Sequence, residues 1–196
     1  GIVELLNEIL PENSGVIAIV VSAPLCLFAS MNDITAPSVS LEGKSLWLLQ
    51  SLPVRPWQAL KAKLELQLIL TGIPLLVAFV CTAVVCRYTA MEFVLVLLIS
   101  VLYILFSALF GLFLAVKLPN LNWTSEISPI KQSASVGLSL LVNISYPIIY
   151  GGLFFIAGDK LGYIIYMAAF AVLTLAISAV LYFWLKKKGS AAFAAL

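Results

Sequence analysis

Long runs of apolar residues without a single charged side chain dominate this chain. A helix of about twenty apolar residues can cross the hydrocarbon core of a bilayer, whereas a surface helix of a soluble protein has a polar face. Four runs of more than twenty residues contain no charged residue, at about 66–86, 93–116, 133–157 and 161–185. A fifth run, at about 15–36, contains one charged residue, Asp33, near its end.

Composition supports the interpretation of these runs as membrane spans. Of the 196 residues, 63% are hydrophobic and 10% are charged, whereas in soluble domains roughly a quarter of the residues are charged. So few charged residues cannot cover the surface of a soluble domain of this length, so lipid must be the solvent. The sequence predicts an all-α membrane protein, a bundle of about five transmembrane helices.

The polar segments complete the predicted organisation. Residues 1–14 have apolar side chains at helical spacing and an acidic opposite face, which is typical of a short amphipathic helix at a membrane surface. Residues 15–196 are expected to form one transmembrane domain. Its two long polar segments are an insert at 37–64 and a loop at 117–132.

Basic residues are distributed unevenly between the two sides of the predicted bundle. With five spans, nine of the eleven Lys and Arg residues fall on one side, and only Arg87 and Lys160 fall on the other. Segments rich in Lys and Arg stay on the cytoplasmic side. We therefore expect the insert, the loop and the C-terminus to be cytoplasmic and the N-terminal amphipathic helix to be extracellular.

The sequence carries few groups suited to catalysis. It has no histidine, and histidine is the commonest general base and metal ligand. Its three cysteines, Cys26, Cys81 and Cys86, lack metal-binding spacing and are expected to pack as small apolar side chains. Asp33 is interpreted as the exit of the first span, which leaves the spans without an ionisable group for ion-driven transport. We expect no enzymatic activity, no catalytic residue and no metal site.

Two charged features near the insert have structural interpretations. Glu65 follows Lys61 by one helical turn and is expected to pair with it at the membrane interface. Gly43–Ser45 is similar to the end of a phosphate-binding loop, but the full pattern needs a glycine at the position of Ser38 and a preceding strand. We therefore expect this chain to bind no cofactor itself.

The fourth predicted span is the most polar. Ser139, Asn143, Tyr146 and Tyr150 fall on one face at helical intervals, with Pro147 able to bend the helix beside them. Such a stripe could line a substrate path. Alternatively, these groups hydrogen-bond to neighbouring helices while small residues permit close packing. The small residues are Ser133, Gly137, Gly151 and Gly152.

The insert contains a short apolar cluster, Leu46–Leu49 with Leu52, followed by Pro53 and by basic residues. This cluster is too short to span a bilayer, and it is typical of an amphipathic helix that lies flat on a membrane surface. It could serve only as an anchor in the inner leaflet. It could also present its surface to a soluble partner.

Two segments resemble the permeases of ATP-binding-cassette exporters, specifically the C-terminal half of a bacterial ABC-2-like subgroup. The first is SLEGKSLWLLQSLPVRPWQALKAKL at 40–64, and the second is LPNLNWTSEISPIKQS at 118–133. The resemblance implies a transmembrane subunit of the bacterial plasma membrane that lacks an ATPase domain. A separate ABC ATPase subunit would bind ATP and grip a cytoplasmic coupling helix, and substrate would be exported.

The resemblance also implies which residues contact the ATPase. The coupling element would consist of Glu42, Gly43, Lys44, Leu46, Trp47, Leu49 and Leu52, and the second cytoplasmic loop would add Trp123, Glu126 and Lys131. Because members of this subgroup are longer, we expect either a fragment of a permease or a chain completed by a second copy. The alternative is a non-transporting immunity or scaffold protein of the membrane that binds partners through its loops.

Overall fold

A computed structural model describes residues 14–51, 53–86, 88–121, 123, 127 and 133–196. These residues form helices joined by short connections, and the described part contains no strand. In chain order the α-helices are α1 (Ser14–Ser30), α2 (Ser38–Glu42), α3 (Leu46–Ser51), α4 (Pro56–Cys86), α5 (Ala90–Lys117), α6 (Ala134–Leu161), α7 (Tyr163–Trp184) and α8 (Ser190–Ala194).

Local sequence signals explain several of the helix ends. Pro56 is the first residue of α4, a position where the missing N–H costs nothing. A capping box opens α5, in which Thr89 and Glu92 each satisfy the backbone N–H of the other. Gly162 separates α6 from α7 with a φ of 75°, a conformation that favours glycine.

The four helices α4 to α7 are long and apolar enough to cross a membrane. This confirms an all-α membrane bundle. Helix α1 has 17 residues and is shorter than these four helices. Its end at Ser30 precedes the predicted end of the first span, and α4 starts ten residues before the predicted second span. Residues 158–160, which separate the fourth and fifth predicted spans, lie within α6. The amphipathic helix predicted at 1–14 falls almost entirely outside the described residues.

The central element of the bundle is α5, which packs against α1, α4, α6 and α7. Its apolar side chains join two core clusters. The first contains residues of all five long helices, among them Ile19, Phe79, Tyr103, Tyr150 and Met167. The second gathers the insert and the chain end around the last turns of α5, and includes Val39, Leu46, Leu60, Leu112 and Phe193.

One end of the bundle collects the basic residues, and we call it the basic end. Lys117 closes α5 there and lies 5.4 Å from the ring of Trp184, which is followed by Lys186–Lys188. Lys61 and Glu65 in the first turns of α4 form the predicted ion pair, at 3.2 Å. Lysines from three segments therefore share one end, as expected for a single membrane face.

Candidate functional site

The chain between α1 and α2 is irregular although it lies inside the bundle. Residues 31–37 follow the last turn of α1 and contact α4, α5 and α6. On α5 the contact is Gly111, six residues or about 9 Å from the helix end at the usual rise per residue. Irregular backbone is tolerated at such depth only where protein groups satisfy its polar atoms. We call this stretch the unwound segment.

Asp33 is the charged residue of the unwound segment, and hydrogen-bond donors surround its carboxylate. Oδ1 accepts from the Ala36 N–H at 3.1 Å and from the Thr35 hydroxyl at 3.2 Å. Oδ2 accepts a short bond from Ser139 and a longer one, 3.3 Å, from Asn143 Nδ2. No Lys or Arg of the described residues forms an ion pair with it. The carboxylate of Asp33 is therefore held by four neutral hydrogen-bond donors and not by a positive charge.

Gly111 allows this segment to lie directly against α5. A Cβ at this position would lie 2.7 Å from Asp33 Oδ1 and 3.2 Å from the Ala36 nitrogen. Any other residue would therefore displace the carboxylate or the turn that it holds. Two of the glycines expected to allow close packing of α6 have no such neighbour. A Cβ at Gly137 or at Gly152 would meet nothing within 4 Å.

One face of α4 holds the segment along its length. Thr71 accepts from Asn32 Nδ2 at 3.1 Å, and Gln67 binds the backbone on both sides of Asp33, accepting from Ile34 N–H and donating to the Asn32 carbonyl. One turn earlier, Lys63 donates to the Ser38 carbonyl at 3.0 Å. Lys63, Gln67 and Thr71 are spaced by four residues each, so they form a single stripe on α4.

The predicted stripe on α6 faces the interior of the bundle. Ser139 and Asn143 bind Asp33, Tyr146 hydrogen-bonds to Thr174 of α7, and Tyr150 lies 3.1 Å from the hydroxyl of Ser22 on α1. In this conformation two of the four groups bond to neighbouring helices and two bond to the unwound segment. A substrate path along them stays a prediction.

Asn143 leaves one polar atom of the site unsatisfied. Its side chain is fully buried, its Nδ2 serves Asp33 and Ser139, and its Oδ1 has no hydrogen-bond partner. The backbone carbonyl of the same residue accepts from the hydroxyl of Tyr103 at 2.8 Å. A buried acceptor without a donor is costly, at about 1–3 kcal/mol, and is uncommon in folded proteins.

A cleft of about 240 Å³ lies beside the site, between α1 and α4. Its wall is apolar except at one place, where Asn32 and Thr71 meet. Asp33 does not line it. The cleft therefore reaches Asn32 but not the carboxylate of its neighbour Asp33.

The two segments that carry the family resemblance meet in the structure. The Trp123 ring would lie 2.8 Å from a Cβ at Gly43, and its Nε1 donates to the Ser40 carbonyl at 2.7 Å. Glu42 accepts from Lys63 of α4. Leu46 is buried in the second core cluster, so it cannot face a partner in this conformation.

The other residues of the predicted coupling element are described only in part. Lys44, Trp47 and Leu49 have helical backbone in this region, and their side chains lie outside the described part of the chain. Leu52, Glu126 and Lys131 lie outside the described residues altogether.

The sequence analysis placed Asp33 at the exit of the first span, which stays a prediction, and did not foresee its hydrogen-bond partners. Its carboxylate bonds to α6 and lies against Gly111 of α5, because α1 stops at Ser30 and the next residues fold back against the bundle. One signal could have pointed to this: Asn32, Asp33 and Thr35 follow an apolar run, and α4 carries Gln67 and Thr71 on its buried face. Polar residues at matching depths predict a contact.

No family model, curated protein or solved structure matches this chain. The family resemblance of residues 40–64 and 118–133 therefore stays a prediction. Among the described residues, no group of His, Cys, Asp and Glu side chains could hold a metal ion. The site is a single, partly buried carboxyl group that accepts hydrogen bonds from four neutral donors.

Proposed function

We propose that this chain is the transmembrane permease subunit of an ATP-driven exporter, coupled to a separate ATPase subunit. In this proposal the basic end is cytoplasmic, the N-terminus is outside, and the membrane is the plasma membrane of a bacterial cell. The stretch Ser38–Ser51 is the element that the ATPase moves. The chain binds no nucleotide and catalyses no reaction.

One observation carries the proposal: the insert is bonded to the bundle at fixed points. Lys63 ties Glu42 and the Ser38 carbonyl to α4, and Trp123 holds the Ser40 carbonyl from the loop after α5. A displacement of α2 would therefore pull on α4 and on the unwound segment. Such connections are what a coupling element needs, because a partner can shift the bundle only through contacts that differ between two states.

Exposed apolar side chains support a partner surface on the same element. Leu48 of α3 is 54% exposed, and Leu41 and Val54 are also exposed. Leucines on a short amphipathic helix suit a hydrophobic groove on a partner. Trp47 and Leu49 would extend this surface by the family resemblance.

The proposal is tested with the purified subunit and its candidate ATPase. Trp47→Ala combined with Leu49→Asp is expected to abolish stimulation of the ATPase while membrane insertion and the thermal midpoint in detergent stay unchanged. Leu118→Asp provides the matched control, since Leu118 is an exposed leucine at the same end of the bundle. Undiminished stimulation in the double variant would refute the coupling role.

A pull-down experiment separates the alternative. The exporter proposal expects an ABC ATPase to co-purify with the wild-type chain and to be lost in the double variant. Co-purification of another protein, with no ATPase, would favour the immunity or scaffold function instead.

A further inference from the structure

We propose that Asp33 is a proton-binding site: its partly buried carboxylate takes up one proton, and the turn that leads into the insert responds to this change. The proposal goes beyond ATP-driven export, since it gives the bundle a site at which an ion binds. It starts from two observations on different helices, the uncompensated carboxylate in the unwound segment and the unpartnered Asn143 Oδ1 on α6.

The charge balance of the site favours an added positive charge. A carboxylate removed from water is unstable unless it is paired or neutralised. The four groups that bind Asp33 are neutral, and Lys63 of α4 is engaged by Glu42. A single proton on Asp33 removes the charge without any rearrangement of helices.

Space and ligand chemistry select a proton over a metal cation. Sodium or a similar ion needs several oxygen ligands around a free volume, whereas Gly111 has no room for even one added carbon beside Oδ1. The Ala36 N–H and Asn143 Nδ2 also point hydrogens at the carboxylate, which would repel a metal ion. A proton needs no volume of its own.

The hydrogen-bond pattern has a place for the proton. In the step proposed here, a proton from water at the basic end bonds to Asp33 Oδ2 and converts the carboxylate into a carboxylic acid. The acid then donates to Ser139 Oγ, and a flip of the Asn143 amide brings its Oδ1 to the place of Nδ2, where it accepts from the Ser139 hydroxyl. The added proton thus supplies the hydrogen-bond donor that Asn143 Oδ1 lacks.

The groups facing Asp33 add no competing charge at neutral pH. From α6 they are Ser139 and Asn143, and from α5 the Gly111 backbone and the Tyr103 phenol. From α4 the uncharged Gln67 and Thr71 hold the neighbouring Asn32, and the nearest titratable group of α1 in this network is the thiol of Cys26. Phenols and thiols are neutral at pH 7 in ordinary surroundings.

The turn after Asp33 connects the proton to the insert. Oδ1 holds the Ala36 N–H and the Thr35 hydroxyl, and the Thr35 carbonyl in turn accepts from the Ser38 hydroxyl at the start of α2. Hydrogen bonds to an ionised group are about twice as strong as those to a neutral one. Protonation is therefore expected to loosen this turn and the first residues of α2.

Infrared spectroscopy of the purified chain tests the proton site without any ATPase. The chain has two aspartates, Asp33 and Asp159, so isotope labelling of the aspartate carboxyl carbon restricts the signal to these two. We expect a protonated carboxyl band that disappears on titration to alkaline pH, is lost in Asp33→Asn and is kept in the control Asp159→Asn. Ser139→Ala removes a donor to the ionised form and should move the midpoint upward by about one pH unit.

Other results of the same infrared titration would contradict the proton site. Absence of the band down to mildly acidic pH, or its persistence in Asp33→Asn, would overturn the proton site. A midpoint that moves when sodium is replaced by choline would identify a metal cation as the ligand and refute the choice of a proton. These results do not depend on ATPase stimulation. The proton site can therefore be refuted while the exporter proposal stands, and the exporter proposal can be refuted while the proton site stands.

Hydrogen–deuterium exchange tests the link to the insert at a single pH. Asp33→Asn imitates the neutral acid, and its amides at 35–43 are expected to exchange faster than those of the wild type. The control Asp159→Asn should exchange as the wild type does. Equal exchange in Asp33→Asn would refute the response of the turn.

Discussion

At the scale of residues, the chemistry of the site depends on one carboxyl group and on the protein groups that donate hydrogen bonds to it. The Asp33 carboxylate has four neutral donors from two parts of the chain, the unwound segment and α6. Breaking such an arrangement costs more than neutralising it, because an unmade hydrogen bond leaves its donor without water. Substitutions of different shape and polarity should therefore behave very differently.

We predict that Asp33→Asn changes stability by no more than about 1 kcal/mol, whereas Asp33→Leu destabilises by about 3 kcal/mol or more. The asparagine oxygen can still accept from Ala36 and Thr35, and its amide can face the Ser139 oxygen. Leucine leaves every donor unsatisfied. Thermal unfolding in a mild detergent measures both variants, and equal loss in the two would show that the four donors do not matter.

A second prediction concerns Gly111. Gly111→Ala is expected to destabilise by about 1–3 kcal/mol, because the new methyl group meets the Asp33 carboxylate and the Ala36 nitrogen. Gly152→Ala on α6 is the matched control, since its methyl group would enter open space and alanine favours a helix. The same thermal assay compares them, and an unaffected Gly111→Ala would contradict the close approach.

At the scale of elements, the insert is a set of short helices whose orientation depends on one glycine. Gly43 follows α2 with φ 46° and ψ −125°, a conformation open to glycine alone. The Trp123 ring lies over it. Backbone freedom and lack of a side chain are thus both required at this position.

We predict that Gly43→Ala detaches the insert from the loop that carries Trp123. The substitution meets both backbone strain and the indole ring, while the control Gly162→Ala, with a φ of 75°, meets strain in open space. Limited proteolysis should cut the Gly43→Ala variant faster within 38–55 and leave Gly162→Ala similar to the wild type there. Equal protection of the two variants would exclude a role for the indole contact.

Elements differ in how much of them the sequence predicts. Apolar length identified α4 to α7, because a helix that crosses lipid must satisfy its own backbone and needs no partner to be recognised. The end of α1 was not predictable in this way, since apolar length does not show where a helix unwinds, and residues 31–36 are held by contacts with Gln67, Gly111 and Ser139. For the same reason the α6 stripe was recognised while Asp33, its main partner, was not.

At the scale of the whole molecule, the arrangement of charge is the feature to test. Lysines of α4, α5 and the C-terminal segment lie at one end of the bundle. Asp33 and the insert lie towards the same end. If that end is cytoplasmic, both would be reached from inside the cell.

We predict that a cysteine replacing Trp47 is inaccessible to a membrane-impermeant thiol reagent applied to intact cells, while one replacing Lys160 reacts. The native Cys26, Cys81 and Cys86 are first changed to alanine, because Cys81 is exposed. Both cysteines should react after the cells are opened. Labelling of position 47 from outside would invert the topology and remove the basis for a cytoplasmic partner.

The stripe of Lys63, Gln67 and Thr71 has a consequence for movement. These side chains repeat every four residues, and each grips a successive part of the chain between Asn32 and Glu42. A slide of that chain along α4 would break these contacts together rather than one by one. The contacts therefore hold the junction between α1 and the insert in one register and resist gradual drift.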